Sequence, residues 1–133
     1  HNNRTISELW GTNVAQLYGP DQFHIEEHRT GSTDMGDLGH IMPVSHPYIF
    51  GASGSAHGND YLMVDHDAVY VNMAKLLAMT AIDMLADDAR SARAIVADAN
   101  PRLSKSQYLE FNRSMMDTAH YDPQVPAPRG API

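Results

Sequence analysis

Asp65-His-Asp-Ala-Val-Tyr-Val-Asn-Met-Ala-Lys-Leu-Leu-Ala-Met-Thr-Ala-Ile-Asp-Met-Leu-Ala86 is the longest apolar stretch of the chain. Val69, Met73, Leu76, Leu77, Ile82, Met84 and Leu85 recur at helical spacing and cover nearly the whole circumference. Asn72, Lys75, Thr80 and Asp83 leave a narrow wet stripe, and Asp65 is a suitable N-cap. The charges argue against a membrane span. The spacing therefore predicts a helix from Asp65 to about Ala86, largely buried in protein. A helix apolar on nearly every side needs neighbours on more than one side.

Few neighbours are on offer. Downstream, Ala89 to about Ala99 reads as a second helix stopped by Asn100-Pro101. Ser104-Lys-Ser-Gln107 is a capping box opening a third, with Tyr108, Phe111 and Met115 on one side. Upstream, Thr5-Ile-Ser-Glu8 reads as another capping box, with Thr5 as N-cap. Ile6, Leu9, Trp10, Val14 and Leu17 then share a face, and Gly19-Pro20 ends that helix. A short extended piece is expected near Phe23–Arg29, and the glycines of Gly31–Gly39 suggest a loop. His40–Phe50 reads as one or two short strands interrupted by Pro43 and Pro47, prolines that suit an edge. The tail, Tyr121–Ile133, carries four prolines and is expected to be a loosely packed strap or disordered.

Three other helices and two or three short strands cannot cover the 65–86 helix, since a two-stranded sheet is marginal by itself. The expected fold class is α/β, helix-rich, and part of a larger domain or an obligate partner to one. Residues 1–120 would form that partial domain and residues 121–133 a Pro-rich tail.

Composition narrows the function. The 133 residues have a formal net charge of −7 and no basic cluster. That disfavours nucleic acid, whose phosphates call for Lys and Arg patches, and an anionic membrane surface. With no cysteine, disulfides and thiolate chemistry are excluded, and any metal must be held by nitrogen and oxygen. Eight histidines make such a site worth considering. No secretory signal is visible, so a cytoplasmic setting is the default expectation. The first residue, His1 rather than Met, suits a processed or excised piece.

Three constellations carry candidate chemistry. His57, in Gly54-Ser-Ala-His-Gly-Asn-Asp60, lies in a loop between the extended run and the long helix, where α/β folds place their chemistry. It can ligate a metal or be an ordinary polar loop residue. Ser32-Thr-Asp34 can approach a ligand, with Asp34 orienting a ligating imidazole, or form a local Asx-type turn. His40 and His46, six apart, would share one face of a straight strand. His46 can bond a substrate carbonyl or carboxylate, or be satisfied by backbone. No serine elbow and no phosphate loop is present.

Gly31-Ser-Thr-Asp-Met-Gly-Asp37, Val44-Ser-His-Pro-Tyr48, Gly54-Ser-Ala-His57 and Ala74-Lys-Leu-Leu-Ala-Met-Thr-Ala-Ile-Asp-Met-Leu85 occur in this order. Together they resemble the C-terminal segment of the zinc-dependent aminoacylase and carboxypeptidase-type amidohydrolases. The branch it resembles most is the one containing the p-aminobenzoyl-glutamate hydrolase B subunit and related dipeptidases. The resemblance covers about residues 3–116. It implies the C-terminal portion of a three-layer zinc-exopeptidase-like catalytic domain, two Zn²⁺ or other divalent ions, and hydrolysis of an N-acyl amino acid or dipeptide-like amide. By position, His57 matches the late metal ligand, while Ser32, Thr33, Asp34 and His46 would line the cleft.

The family's early ligands, its paired acids with the general base, and its lid domain have no counterpart in this sequence. Glu26 and Glu27 follow no matching motif, so no catalytic residue is assigned. The resemblance therefore implies that the isolated chain is inactive and needs the remainder of the catalytic domain or a partner subunit, with a possible homodimer when intact. The alternative is a non-catalytic acidic α/β module that binds a partner through its apolar helix faces.

Overall fold

A computed structural model describes residues 2–26 and 31–118. Helix α1 spans Arg4–Tyr18. Its cap is Asn3, whose side chain accepts the Ile6 amide at 3.0 Å, two residues earlier than the Thr5 cap expected from the sequence. Glu8 is drawn instead to Arg4, at 2.7 Å. The Glu8 hydrogen bond and charge raise the Arg4 pKa further above its ordinary value. Gly19 ends α1, as the Gly-Pro pair predicts, and one 3₁₀ turn follows at Pro20–Gln22. The chain then folds back so that Phe23 lies across Gly11, where a Cβ would sit 2.4 Å from the ring.

Gly31–Gly39 is not simply a loop. It contains the short helix α2, Asp34–Leu38, capped by the Thr33 side chain. The strands expected over His40–Phe50 do not form. Pro43 and Pro47 have no N–H to give a ladder, and the segment is held to α1 by a bond from the Asn3 amide to the Val44 carbonyl at 2.6 Å. The two strands lie further on. β1 (Ala52–Ser53) and β2 (Leu62–Met63) form an antiparallel pair in the register Ala52–Met63 and Ser53–Leu62.

The long helix opens where the sequence places it. Asp65 Oδ1 accepts the Ala68 amide at 3.0 Å. A wide π-turn runs over Asp67–Asn72, and α3 continues as Met73–Asp98. The boundary expected between two helices at Ala86–Ala89 is a sharp break. Asp87, Asp88 and Ala89 are left-handed, with φ of 50°, 59° and 55°. Aspartate tolerates that region through its short polar side chain, whereas alanine has no such compensation and bears about 1–2 kcal/mol. Arg93 folds back onto the Asp88 carbonyl and carboxylate, and Arg90 lies 3.6 Å from Asp87. These exposed pairs contribute little. Ala89→Gly is therefore expected to stabilise the chain by about 1 kcal/mol, seen as a higher urea midpoint. An unchanged midpoint would mean the turn is not left-handed in solution.

Helix α4, Lys105–Met115, carries the Ser104/Gln107 capping box read from the sequence. The Leu103 amide ties its approach to the His40 carbonyl at 3.0 Å.

The core forms where α1 crosses α3. Trp10, Val14 and Leu76 are buried together, flanked by Tyr18, Phe23, Ile49 and Met73. Asn13, 2% exposed, donates across this junction to Thr80 Oγ1 at 3.2 Å and Asp83 Oδ2 at 2.8 Å. Such a bond inside an apolar contact costs free energy if broken, so it fixes the register of the two helices.

The expectation that the 65–86 helix is largely buried is corrected. Leu76 and Thr80 are covered, but Tyr70, Val71, Leu77, Ile82 and Leu85 face outward, Leu85 with 66% of its surface exposed. The reason is the missing layer: α1 covers one side, and the two-stranded sheet is too small to cover another. By length and composition, 67–98 is the one helical stretch among the described residues able to cross a membrane, yet the left-handed turn and two aspartates interrupt it. The fold is thus helix-rich with a two-stranded antiparallel sheet. The tail expected at Tyr121–Ile133, and part of the piece expected at Phe23–Arg29, lie outside the described residues.

Candidate functional site

The hairpin β1–β2 carries His57 at its tip. Gly54 leaves β1 with φ of 83°, a conformation open to glycine, and its missing Cβ makes room for the Asp60 carbonyl. The Ser55 carbonyl accepts the Gly58 amide at 2.7 Å, while Asp60 Oδ1 accepts the Ser55 amide at 3.2 Å. Asp60 is therefore a brace of the loop. At the base, the Gly51 carbonyl accepts the Val64 and Asp65 amides at 2.8 and 3.0 Å, locking the hairpin to the start of the long helix.

His57 sits in this frame with φ of 65°, left-handed and exposed. Left-handed backbone at a non-glycine residue costs about 1–2 kcal/mol, so the surrounding turn imposes it. The site has one nitrogen donor. Among the described residues no group of three or more His, Asp or Glu is placed to hold a metal.

The second part of the candidate site is assembled by tertiary structure. Thr33 and His46 meet, with Thr33 Oγ1 3.3 Å from His46 Nδ1. The His46 amide donates to Asn2 Oδ1 at 3.0 Å, and its ring lies against Tyr48 with centroids 5.1 Å apart. Sequence reading missed Asn2, which lies 44 residues from its partner and carries no local signal. Asp34 heads α2, exposed, and Ser32 precedes the cap, also exposed. Among the described residues no hydrogen bond joins Asp34 to His57.

His40 and His46 do not share a strand face, because no strand forms there. His40 instead borders a groove of about 370 Å³ with Asp37, Arg102, Leu103, Tyr108 and Phe111. His66 Nε2 lies 3.2 Å from the Met63 carbonyl, a local contact.

No protein-family model, curated protein or solved structure matches this chain.

Proposed function

We propose that this chain is the C-terminal part of the catalytic domain of a metal-dependent amidohydrolase, acting on an amide of an N-acyl amino acid or dipeptide. The observation that carries the reading is His57: a ring held out on a braced hairpin, without a hydrogen-bond partner among the described residues. The absence of cysteine and the availability of a neutral imidazole fit Zn²⁺ or a similar divalent ion. His57 would supply one ligand, and polypeptide not included in this sequence would supply the others and the lid. When bound, the metal lowers the pKa of its water and polarises the scissile carbonyl. Thr33, Asp34 and His46 would border the substrate, Ser32 would lie at the loop's start, and the uncovered face of α3 would pack against the rest of the catalytic sheet. A cytoplasmic enzyme, dimeric when intact, belongs to the same proposal.

The test is zinc titration of the intact protein. His57→Ala is expected to weaken zinc binding at least about tenfold and to remove hydrolysis of N-acyl amino acids. Unchanged stoichiometry, affinity and activity would sink the assignment.

The exposed side chains of Tyr70, Val71, Leu77, Ile82 and Leu85 favour a second reading, a partner-binding module without metal. The two separate on the isolated chain. Cooperative folding as a soluble monomer supports the module, whereas aggregation relieved only by the missing polypeptide supports the enzyme.

A further inference from the structure

We infer that Thr33 sets the tautomer of His46, so that the ring presents an Nε2–H donor to an amide carbonyl oxygen. The identity of that carbonyl rests on the amidohydrolase reading above, while the wiring of the ring does not. Thr33 Oγ1 accepts the Met35 amide at 3.1 Å and lies 3.3 Å from His46 Nδ1. A hydroxyl has one proton and two lone pairs. One lone pair is committed to Met35, and the proton has Nδ1 as its acceptor only when that nitrogen is bare. The neutral ring then carries its proton on Nε2. The opposite polarity would leave the exposed hydroxyl proton to solvent, with no protein acceptor among the described residues.

The backbone on either side of the ring is fixed as well. The His46 amide is held by Asn2, the Ser45 and Ser7 hydroxyls lie within 3.1 Å, and the Val44 carbonyl takes the Asn3 amide. His46 as a residue is half-buried, and its ring lies against the exposed Tyr48. These contacts link His46 to the start of α1 and to the cap of α2, so the donor is aimed by two elements that meet only in the folded chain.

Local charge selects the acceptor. Asp34 directly follows Thr33 and Asp37 lies one helical turn on, and neither forms an ion pair among the described residues. Both are exposed, so solvent screens them, but their negative charge still disfavours an incoming carboxylate and leaves an uncharged carbonyl oxygen as the better match.

The tautomer is read directly from two-bond and three-bond ¹⁵N–¹H correlations of the labelled full chain, at a pH about two units above the ordinary histidine pKa. The Nε2–H form is expected to prevail by roughly tenfold, the worth of one ordinary hydrogen bond. Thr33→Ser should preserve that preference. Thr33→Asp keeps a capping oxygen but has no proton to donate, so the preference should invert to Nδ1–H. A role confined to capping α2 would not invert it. An Nδ1–H form in the wild type, or a preference that Thr33→Asp leaves alone, overturns the proposal.

In a second arm, N-methylacetamide should shift the His46 Nε2 resonance in the wild type and not in Thr33→Asp, while acetate at matched ionic strength should not. A response to acetate without one to the amide overturns the carbonyl assignment. Zinc titration of His57→Ala decides the hydrolase reading separately, since it leaves the Thr33–His46 bond untouched.

Discussion

Leu76→Ala is expected to cost about 3–5 kcal/mol and to abolish cooperative unfolding of the isolated chain. Leu76 is 1% exposed and sits at the centre of the contact between α1 and α3, against Trp10 and Val14. Few apolar residues are buried among those described, so no second core can absorb the cavity. Domains of this size hold only about 5–15 kcal/mol in total. Far-UV circular dichroism in urea checks it: a broad, shallow transition is the expected result. A midpoint close to wild type would mean that the α1–α3 contact does not organise the chain. Leu77→Ala, one position on and 55% exposed, is the matched control and should change the midpoint little.

Gly54→Ala is expected to disrupt the His57 hairpin while sparing the core. A Cβ there would lie 2.2 Å from the Asp60 carbonyl oxygen and 2.6 Å from its carbon, atoms of the backbone that cannot rotate away. The positive φ of 83° adds its own penalty. Rebuilding the loop should cost about 2–3 kcal/mol locally. Amide exchange at Val64 and Asp65, both bonded to the Gly51 carbonyl, should quicken by roughly tenfold or more. Exchange around Leu76 should not change. Under the amidohydrolase reading proposed above, the same substitution should also weaken zinc binding, because His57 loses its frame. Protected Val64 and Asp65 amides in the variant would contradict this account. Gly36, with open space around its Cβ position, is the control.

Local signals in the sequence were reliable where an element is defined by neighbours along the chain. Ser104 and Gln107 cap α4 as their spacing requires, Gly19 ends α1, and Asp65 opens the long helix. The boundary between the helices of α3 also falls at Ala86–Ala89 as expected, although no glycine or proline marks it. The local signals misled where two candidates competed. Asn3 and Thr5 both offer a capping oxygen, and Asn3 prevails because its own amide is also engaged by the Val44 carbonyl. His40–Phe50 has the apolar content of a strand, but its prolines remove the donors that a ladder needs. Thr33–Leu38 looks like a glycine loop, yet Thr33 caps a short helix within it.

The candidate site divides the same way. His57 stands out in the sequence because glycines and serines surround it between two apolar runs, and the hairpin loop there is built from contacts only a few residues apart. The pairing of Thr33 with His46 and the grip of Asn2 on His46 span 13 and 44 residues, so no local pattern announces them.

The order of amino acids by itself determined where α1 ends, where the long helix and α4 begin, the acidic character of the chain and the absence of thiol chemistry, since each depends on residue type or on partners within one helical turn. Tertiary structure alone decided that α1 meets α3 through Asn13, Thr80 and Asp83, that Thr33 reaches His46, and which apolar residues of the long helix stay uncovered. Those outcomes depend on which surfaces can be buried together. Helical periodicity marks a residue as apolar-facing, but only the packed chain shows which of those residues it covers.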